Sequence, residues 1–493
     1  MKFYTNVYSY GSKILVRNNY DGNKRYDELS FRPSLFVSTD KPSEYKSIHG
    51  VNLSRIDFAN SHEYREFIQK YADVRGFEIH GEIASEYQYI RENYGDDLNY
   101  DFSNIDVMYI DIETTCDDGF PKIDDPEEKV IAITAKRRDS PPVVFCLGKY
   151  TAKSNEVVYS FSNEENLLND FVEWFISDYP DVITGWNVRF FDIPYLYNRI
   201  VKLFGQKYAK KMSPWSIVKE KSVIRKGQNV ESKVYDFIGI STMDYYELYK
   251  TFTYVNQESY RLDHIATVEL GEGKMSYDEY ETIKDFYTKN FQKFVEYNIK
   301  DVVLVERLEE KLKLMELAIA LAYSAGVNYS DVFSQVKTWD VIIYNYLARN
   351  NIVIPPKKKS SKNEQYAGAY VKEPLVGMYD WVVSYDLNSL YPHLIMQYNI
   401  SPETMTNDGL RGVVSPEGIL RRGPVSIDQL EENKKKNLST AANGTTYRKD
   451  IRGFLPELMD KMYGDRKMFK NKMIESKKKL EEVISEMNRR GLS

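Results

Sequence analysis

Cysteine is nearly absent from this chain. Cys116 and Cys146 are the only two in 493 residues. That excludes a disulfide framework and any zinc site built from thiolates alone, and it fits a reducing compartment. Long apolar runs are missing as well. No stretch reaches the ~18 apolar residues of a membrane span, and the opening Met1-Lys-Phe-Tyr-Thr lacks an apolar signal core. The expectation is a soluble protein of the cell interior with no membrane contact. A basic excess is the third absence, since the formal net charge is −6. This argues against a surface coated for nucleic acid but leaves local basic grooves open, because potential follows the distribution of charge. One such stretch is residues 451–493, with 11 Lys and Arg against 7 Asp and Glu.

Aromatic side chains, in contrast, abound. The 41 tyrosines and 23 phenylalanines reflect either codon bias or surfaces on which bases stack. The length suggests roughly three or four domains, and no internal repeat marks the chain. Its most informative feature is a set of scattered carboxylates. Asp111-Ile-Glu113 ends the apolar run Val107-Met-Tyr-Ile. On a strand these two acids share a face. Val182-Ile183-Thr184 reads as a strand, followed by the turn Gly185-Trp-Asn187, then Asp192 and a helix start at Ile193-Pro194-Tyr195-Leu196. Tyr297 and Asp301 sit one turn apart on a helix and share its face. A lone Asp-x-Glu is a common solvated strand end. Clustered acids repel unless a cation sits among them, and divalent metals held by carboxylates are the usual remedy. Two such metals about 4 Å apart are the usual machinery for cutting phosphodiesters.

These pieces resemble a known family. Asp111-Ile-Glu113, the N-x-x-x-F-D from Asn187 to Asp192, and the Y-x-x-x-D from Tyr297 to Asp301 match the three exonuclease motifs of family B DNA polymerases. Ser384-Tyr-Asp386-Leu-Asn-Ser389-Leu-Tyr391-Pro392 is similar to the family's first palm motif. Tyr366-Ala-Gly368-Ala-Tyr370 resembles the hinge between exonuclease and polymerase domains. Lys337-Thr-Trp339-Asp340 and Ile400-Ser-Pro402-Glu403-Thr resemble segments of T-even-type bacteriophage replicative polymerases. The resemblance covers nearly the whole chain.

It implies an α/β multidomain fold: a mixed-sheet N-terminal domain over 1–100, an RNase H-like 3′–5′ exonuclease over 101–314 and a helical return to the N-terminal domain over 315–358. A partial palm over 359–450 and a partial fingers helix over 451–493 follow. It also implies roles. Asp111, Glu113, Asp192 and Asp301 would hold two Mg2+ ions, with Mn2+ as the alternative. Tyr297 would orient the attacking water. Asn187 and Phe191 would hold the frayed primer end, and Phe120 would wedge against a base. In the palm, Asp386 and Leu387 would be metal ligands. Ser389, Leu390, Tyr391, Arg466 and Lys470 would contact the incoming dNTP, although a solvated helix face is the plain alternative for the last two.

Several local expectations accompany this. Residues 1–100 read as hairpins, with a turn at Asp21-Gly22 and a helix over Ser61 to Tyr71. Ile105–Glu113, Lys129–Ala135 and Pro142–Leu147 read as consecutive strands. Ser162-Asn-Glu-Glu165 reads as a capping box. Val223–Tyr235 reads as a hairpin around Lys226-Gly227-Gln-Asn229, which in the family helps part primer from template. Pro355-Pro-Lys-Lys-Lys-Ser-Ser-Lys362 reads as a linker, its lysines either solvated or touching DNA. Trp381–Ser384 reads as the strand that delivers Asp386, and a helix spans about Leu455 to Arg490, ended by Gly491.

The family's second palm motif, D-T-D, and its fingers motif, K-x-x-x-N-S-x-Y-G, do not occur in these residues. The leading expectation is therefore the N-terminal part of a phage-type polymerase. Its exonuclease chemistry would be intact, and DNA synthesis would depend on a second polypeptide, with a sliding clamp reached through that partner. A truncated fragment is the other origin. The competing functions are a stand-alone single-strand 3′–5′ exonuclease and a nucleic-acid-binding protein without catalysis. If the source is viral, the compartment is the cytoplasm of the bacterial host.

Overall fold

A computed structural model describes residues 2–95, 98–117, 119–224, 231–357, 372–406, 427–441 and 443–491. The chain forms two compact units, Met1–Leu35 with Arg55–Asn345, and Phe36–Ser54 with Tyr346–Ser493.

The first unit opens on an antiparallel meander of β1 (Lys2–Tyr10), β2 (Lys13–Tyr20) and β3 (Asn23–Ser30), with the Asp21-Gly22 turn where expected. Helix α1 (Ser61–Tyr71) has the expected bounds, and its Asn60 side chain caps the N–H groups of His62 and Glu63. Helix α2 (Ser85–Tyr94) follows. Arg17, fully buried on β2, donates to the carbonyls of Pro180 and Gly239 and pairs with the buried Asp181 carboxylate at 3.1 Å.

A six-stranded mixed sheet lies at the centre of this unit. Its members are β4 (Val107–Thr114), β5 (Val130–Arg137), β6 (Val143–Cys146), β7 (Val157–Ser160), β8 (Val182–Thr184) and, after a hairpin of β9 (Val218–Ile224) and β10 (Glu231–Phe237), β11 (Ser241–Thr242). The order across the sheet is β7-β6-β5-β4-β8-β11. Neighbours are antiparallel from β6 to β4, and parallel at β6–β7, β4–β8 and β8–β11. Strand β4 is apolar without alternation at its start because helices cover both sheet faces. On one face α3 (Glu164–Ser177) and α4 (Asp192–Phe204) pack Leu167, Phe171, Tyr195 and Ile200 against Ile110, Ile112 and Ile133. After helices α5 (Tyr245–Phe252) and α6 (Leu262–Leu270), the 22-residue α7 (Phe291–Leu312) covers the other, with Phe294 against Ile131 and Val295 against Val144.

The expected capping box does not form. Helix α3 starts one residue later, with Asn163 accepting from the Asn166 N–H. Glu164 is drawn inward instead, where it accepts from Val130 N–H and pairs with Arg199 at 2.6 Å. The hairpin pairs from Val218↔Phe237 to Ile224↔Glu231, so its ladder starts five residues ahead of the expected one. Its tip lies outside the described residues. Helices α8 (Leu314–Ala325) and α9 (Gln335–Ala348) follow. The loop between them meets the N-terminal meander: Tyr4 donates to the Val327 carbonyl, and Asn328 exchanges two hydrogen bonds with the Val7 backbone.

In the second unit Ile352–Val353 runs parallel to Tyr45–Ser47. Helix α10 (Leu390–Tyr398) packs on α11 (Phe454–Arg489), whose bounds are close to the helix expected from about Leu455 to Arg490. A small antiparallel sheet joins Met405–Thr406, Thr446–Arg448 and Leu438–Thr440. Trp381–Ser384 is not a strand. It runs as irregular, exposed chain, because among the described residues no neighbouring strand offers it a ladder. The hinge-like Tyr366–Tyr370 and most of the Pro355–Lys362 linker fall outside the described residues. Among those described, no helix is long and apolar enough to cross a membrane.

Candidate functional site

The site grows out of the ends of β4 and β8. Strand β8 is short, and along β4 it reaches Val107, Met108 and Tyr109. Beyond it the chain turns at Gly185, where a Cβ would lie 2.4 Å from the Ile110 carbonyl oxygen, so only glycine fits. The free edge of β4 leaves the Ile112 N–H without a ladder partner, and Asp192 accepts it at 3.0 Å. Asp192 thus begins α4 with its carboxylate on the backbone of Ile112, the residue between Asp111 and Glu113. Ile110 and Ile112 face the core under α3 and α4, so the alternation of the strand turns Asp111 and Glu113 toward α7. From α7 comes Asp301. Carboxylate oxygens of Asp111, Glu113 and Asp301 all lie within 4.8 Å of one another.

Asp192 and Asp301 are buried, and Asp111 and Glu113 are half-buried. Burial pushes every one of these acids upward, with repulsion from cluster neighbours adding for Asp111, Glu113 and Asp192 and from Asp263 for Asp301: Asp111 well above the carboxylate range, Glu113 to about 8, Asp192 to about 7 and Asp301 to about 6. One cation tempers them. Lys274 donates to Asp301 Oδ2 and, at 3.0 Å, to the Tyr297 hydroxyl. Asp301 Oδ1 is buried and has no hydrogen-bond partner among the described residues. Under-neutralised carboxylates converging on one point, with an orphaned oxygen among them, fit divalent cations well.

Beside the acids lies a cavity of about 870 Å³, lined by Phe120, Trp186, Asn187, Tyr260, Lys274 and Tyr297 among others. Phe120 is 82% exposed, and its ring stands 5.6 Å from that of Phe191, which in turn stacks on Tyr195 at 5.7 Å. Asn187 occupies the left-handed region at φ 67°. The buried Asp244 holds this turn by accepting the N–H groups of Asn187, Arg189 and Tyr246, each at 3.0 Å. Sequence reasoning missed Lys274 and Asp244. Lys274 sits in an irregular segment with nothing local to mark it. Asp244 follows Ser241-Thr242 as an ordinary helix cap, and only the fold brings it under the Asn187 turn.

The palm-like residues are arranged otherwise. Asp386 and Leu387 are exposed, and no cluster of three acidic, histidine or cysteine ligands forms around Asp386 among the described residues. Ser389, at φ 53°, caps α10, and Leu390 and Tyr391 begin it. The Ser389 hydroxyl accepts from Arg466 on α11 at 2.8 Å, and Lys470 lies one turn further on. The structure therefore joins Ser389 to Arg466, and among the described residues no hydrogen bond or ion pair links Asp386 to either.

The first unit thus defines a mixed α/β protein with a carboxylate cluster suited to metal-assisted phosphodiester chemistry. Comparison makes this specific. Residues 80–265 match the description "DNA polymerase family B, exonuclease domain", and residues 333–490 match "DNA polymerase family B". The chain is 33% identical over its whole length to the DNA-directed DNA polymerase of Escherichia phage RB69, covering 56% of that protein. It is 31% identical over 96% of its length to the DNA-directed DNA polymerase of Enterobacteria phage T4, covering 54% of it. It is also 27% identical over 61% of its length to the DNA polymerase delta catalytic subunit of Schizosaccharomyces pombe. The chain belongs to the family B DNA polymerases, and it spans about half the length of the phage relatives it matches.

Proposed function

We propose that this chain is the N-terminal part of a phage-type DNA-directed DNA polymerase, carrying a 3′–5′ proofreading exonuclease and acting in the cytoplasm of a bacterial host. The observation that carries the reading is the convergence of Asp111, Glu113 and Asp301 within 4.8 Å, from elements far apart in the chain. On this reading the exonuclease occupies residues 101–314, after an N-terminal domain and before a partial palm and fingers helix at 359–450 and 451–493.

Two divalent ions, Mg2+ with Mn2+ able to substitute, would supply the positive charge that activates water and steadies the leaving 3′ oxygen. Asp111, Glu113 and Asp301 would hold them, with Asp192 assisting from the open edge of β4. Lys274 fixes the Tyr297 hydroxyl, which then orients the attacking water. Phe120 and Phe191 offer rings to the unpaired bases of a frayed primer end, and Asn187 offers a carboxamide beside them.

DNA synthesis needs a further carboxylate beside Asp386 and Leu387 to fix both metals. The D-T-D motif that would provide it does not occur in this sequence. Ser389, Leu390, Tyr391, Arg466 and Lys470 would contact a dNTP once a second polypeptide completes the palm, fingers and thumb, and a sliding clamp would engage through that partner. The test uses a 3′-labelled single strand with Mg2+. A ladder of shortened products that Asp111→Ala abolishes supports the reading. Binding without cleavage would refute the nuclease half, and primer extension by the chain alone would refute the dependence on a partner.

A further inference from the structure

Asp111 and Asp301 are steadied by different chemistry. Asp301 meets the ammonium of Lys274. Asp111 meets a neutral group, the Asn298 carboxamide, whose Nδ2 donates to Asp111 Oδ2 at 2.7 Å. Asn298 is fully buried on α7, between Tyr297 and Asp301 in sequence but turned from the cavity toward the sheet. Its Oδ1 accepts from the Thr134 hydroxyl. Thr134, also fully buried, stands directly opposite Asp111 in the β4–β5 ladder. Two cross-strand neighbours on one face are therefore bridged from above by a single side chain.

Once Asp111 is ionised, as a metal ligand must be, the direction of this chain of bonds is fixed. An ionised Asp111 only accepts, so the carboxamide must present its N–H to it. A flipped amide would set two oxygens against each other and leave the threonine hydroxyl facing an N–H. The relay Thr134→Asn298→Asp111 occupies one lone pair of Oδ2 with a neutral donor. It leaves the other carboxylate oxygen free for a cation. A lysine in place of Asn298 would hold Asp111 as firmly but would compete with that cation for its charge.

We propose that Asn298, set by Thr134, is a positioning residue that pre-orients Asp111 for metal binding. This rests on the two-metal reading of the acidic cluster. Outer groups that orient a ligand typically contribute about 10- to 100-fold in metal affinity. In the full chain, Asn298→Ala should therefore raise the Mn2+ dissociation constant about 10- to 100-fold, read by calorimetric titration with Mn2+ alone. Thr134→Val removes one hydroxyl, shares no atom with the metal ligands, and should raise it in the same direction by a smaller factor. The double variant should bind no worse than Asn298→Ala, because the hydroxyl acts only through the carboxamide.

Val295→Ala, on the same helix but packed against Val144, is the control for general loosening. Unchanged Mn2+ affinity in Asn298→Ala would overturn the relay while leaving the nuclease reading intact. So would additive losses in the double variant, or an equal loss in Val295→Ala. A parent chain that binds no Mn2+ would overturn both. If Asn298→Ala fails to fold, Thr134→Val decides alone: unchanged affinity there overturns the proposal.

Discussion

Two aspartates open comparable motifs in this molecule, and their surroundings differ in every respect. Asp111 lies within a strand paired on both sides at its start, sits under a helix, and feels three other acids and a lysine while an asparagine donates to it. Asp386 follows the irregular segment of Trp381, Val382 and Val383, whose side chains are mostly exposed. A strand is held by its neighbours, and without them even a β-branched run stays irregular. The contrast teaches that a catalytic motif is a sequence property, whereas a catalytic site belongs to the sheet that surrounds it.

The comparison can be broken first at the acids. Asp301→Ala should lower exonuclease turnover on the order of a thousand-fold, and Asp111→Ala combined with Asp301→Ala should cost little more, since such groups act as a unit. Additive losses in single-turnover assays would mean that the two acids work separately. Lys274→Met comes next. Stripping the ammonium from buried Asp301 should destabilise the metal-free chain by about 3 kcal/mol, measured calorimetrically in EDTA, and Mg2+ should restore much of the loss.

The pH response sharpens the same contrast. With Glu113 at about 8, Asp192 at about 7 and Asp301 at about 6, the folded chain keeps protons that unfolded carboxyls release near ~4. Between those limits the native state binds more protons, so stability must fall as pH rises from about 5 to about 8. Melting temperatures in EDTA should show this slope, and saturating Mg2+ should flatten it. A flat profile in EDTA would mean that the acids are not crowded. The smallest effect is expected in the second unit. Arg466→Ala removes one exposed hydrogen bond to Ser389 and should shift stability by less than about 0.5 kcal/mol, with exonuclease rates unchanged.

Much of the nuclease half was legible in the sequence because charge interrupting an apolar strand is a loud signal. Asp111 and Glu113 stood out this way, whereas Asp192 was read from the turn after Val182–Thr184 and Asp301 from its helical spacing with Tyr297, with the family resemblance joining them; the strands and helices that carry them fell within a few residues of expectation. Lys274 and Asp244 were not, because each gains its meaning from a partner distant in the chain. Asn298 was in plain sight within the Tyr297–Asp301 motif, yet nothing local distinguishes a buried bridging asparagine from a solvated one. The capping box at Ser162 failed by one residue, since Arg199 and the Val130 N–H compete for Glu164 from across the fold. Trp381–Ser384 failed for the opposite reason: its local pattern was right, and the partners that would make it a strand are not among the described residues.

The buried pair of Arg17 and Asp181 limits how this molecule can be dissected. Cutting the chain near residue 101 to isolate a minimal nuclease would strand the Asp181 carboxylate, whose oxygens otherwise meet Arg17, Thr5 and the Asp106 N–H, one residue before β8. The fault would propagate through three residues to the Gly185 turn and from there to the reactive cleft. The amino-terminal meander is thus an integral keystone of the nuclease, and trimmed versions that omit it should be recovered as insoluble or inert material.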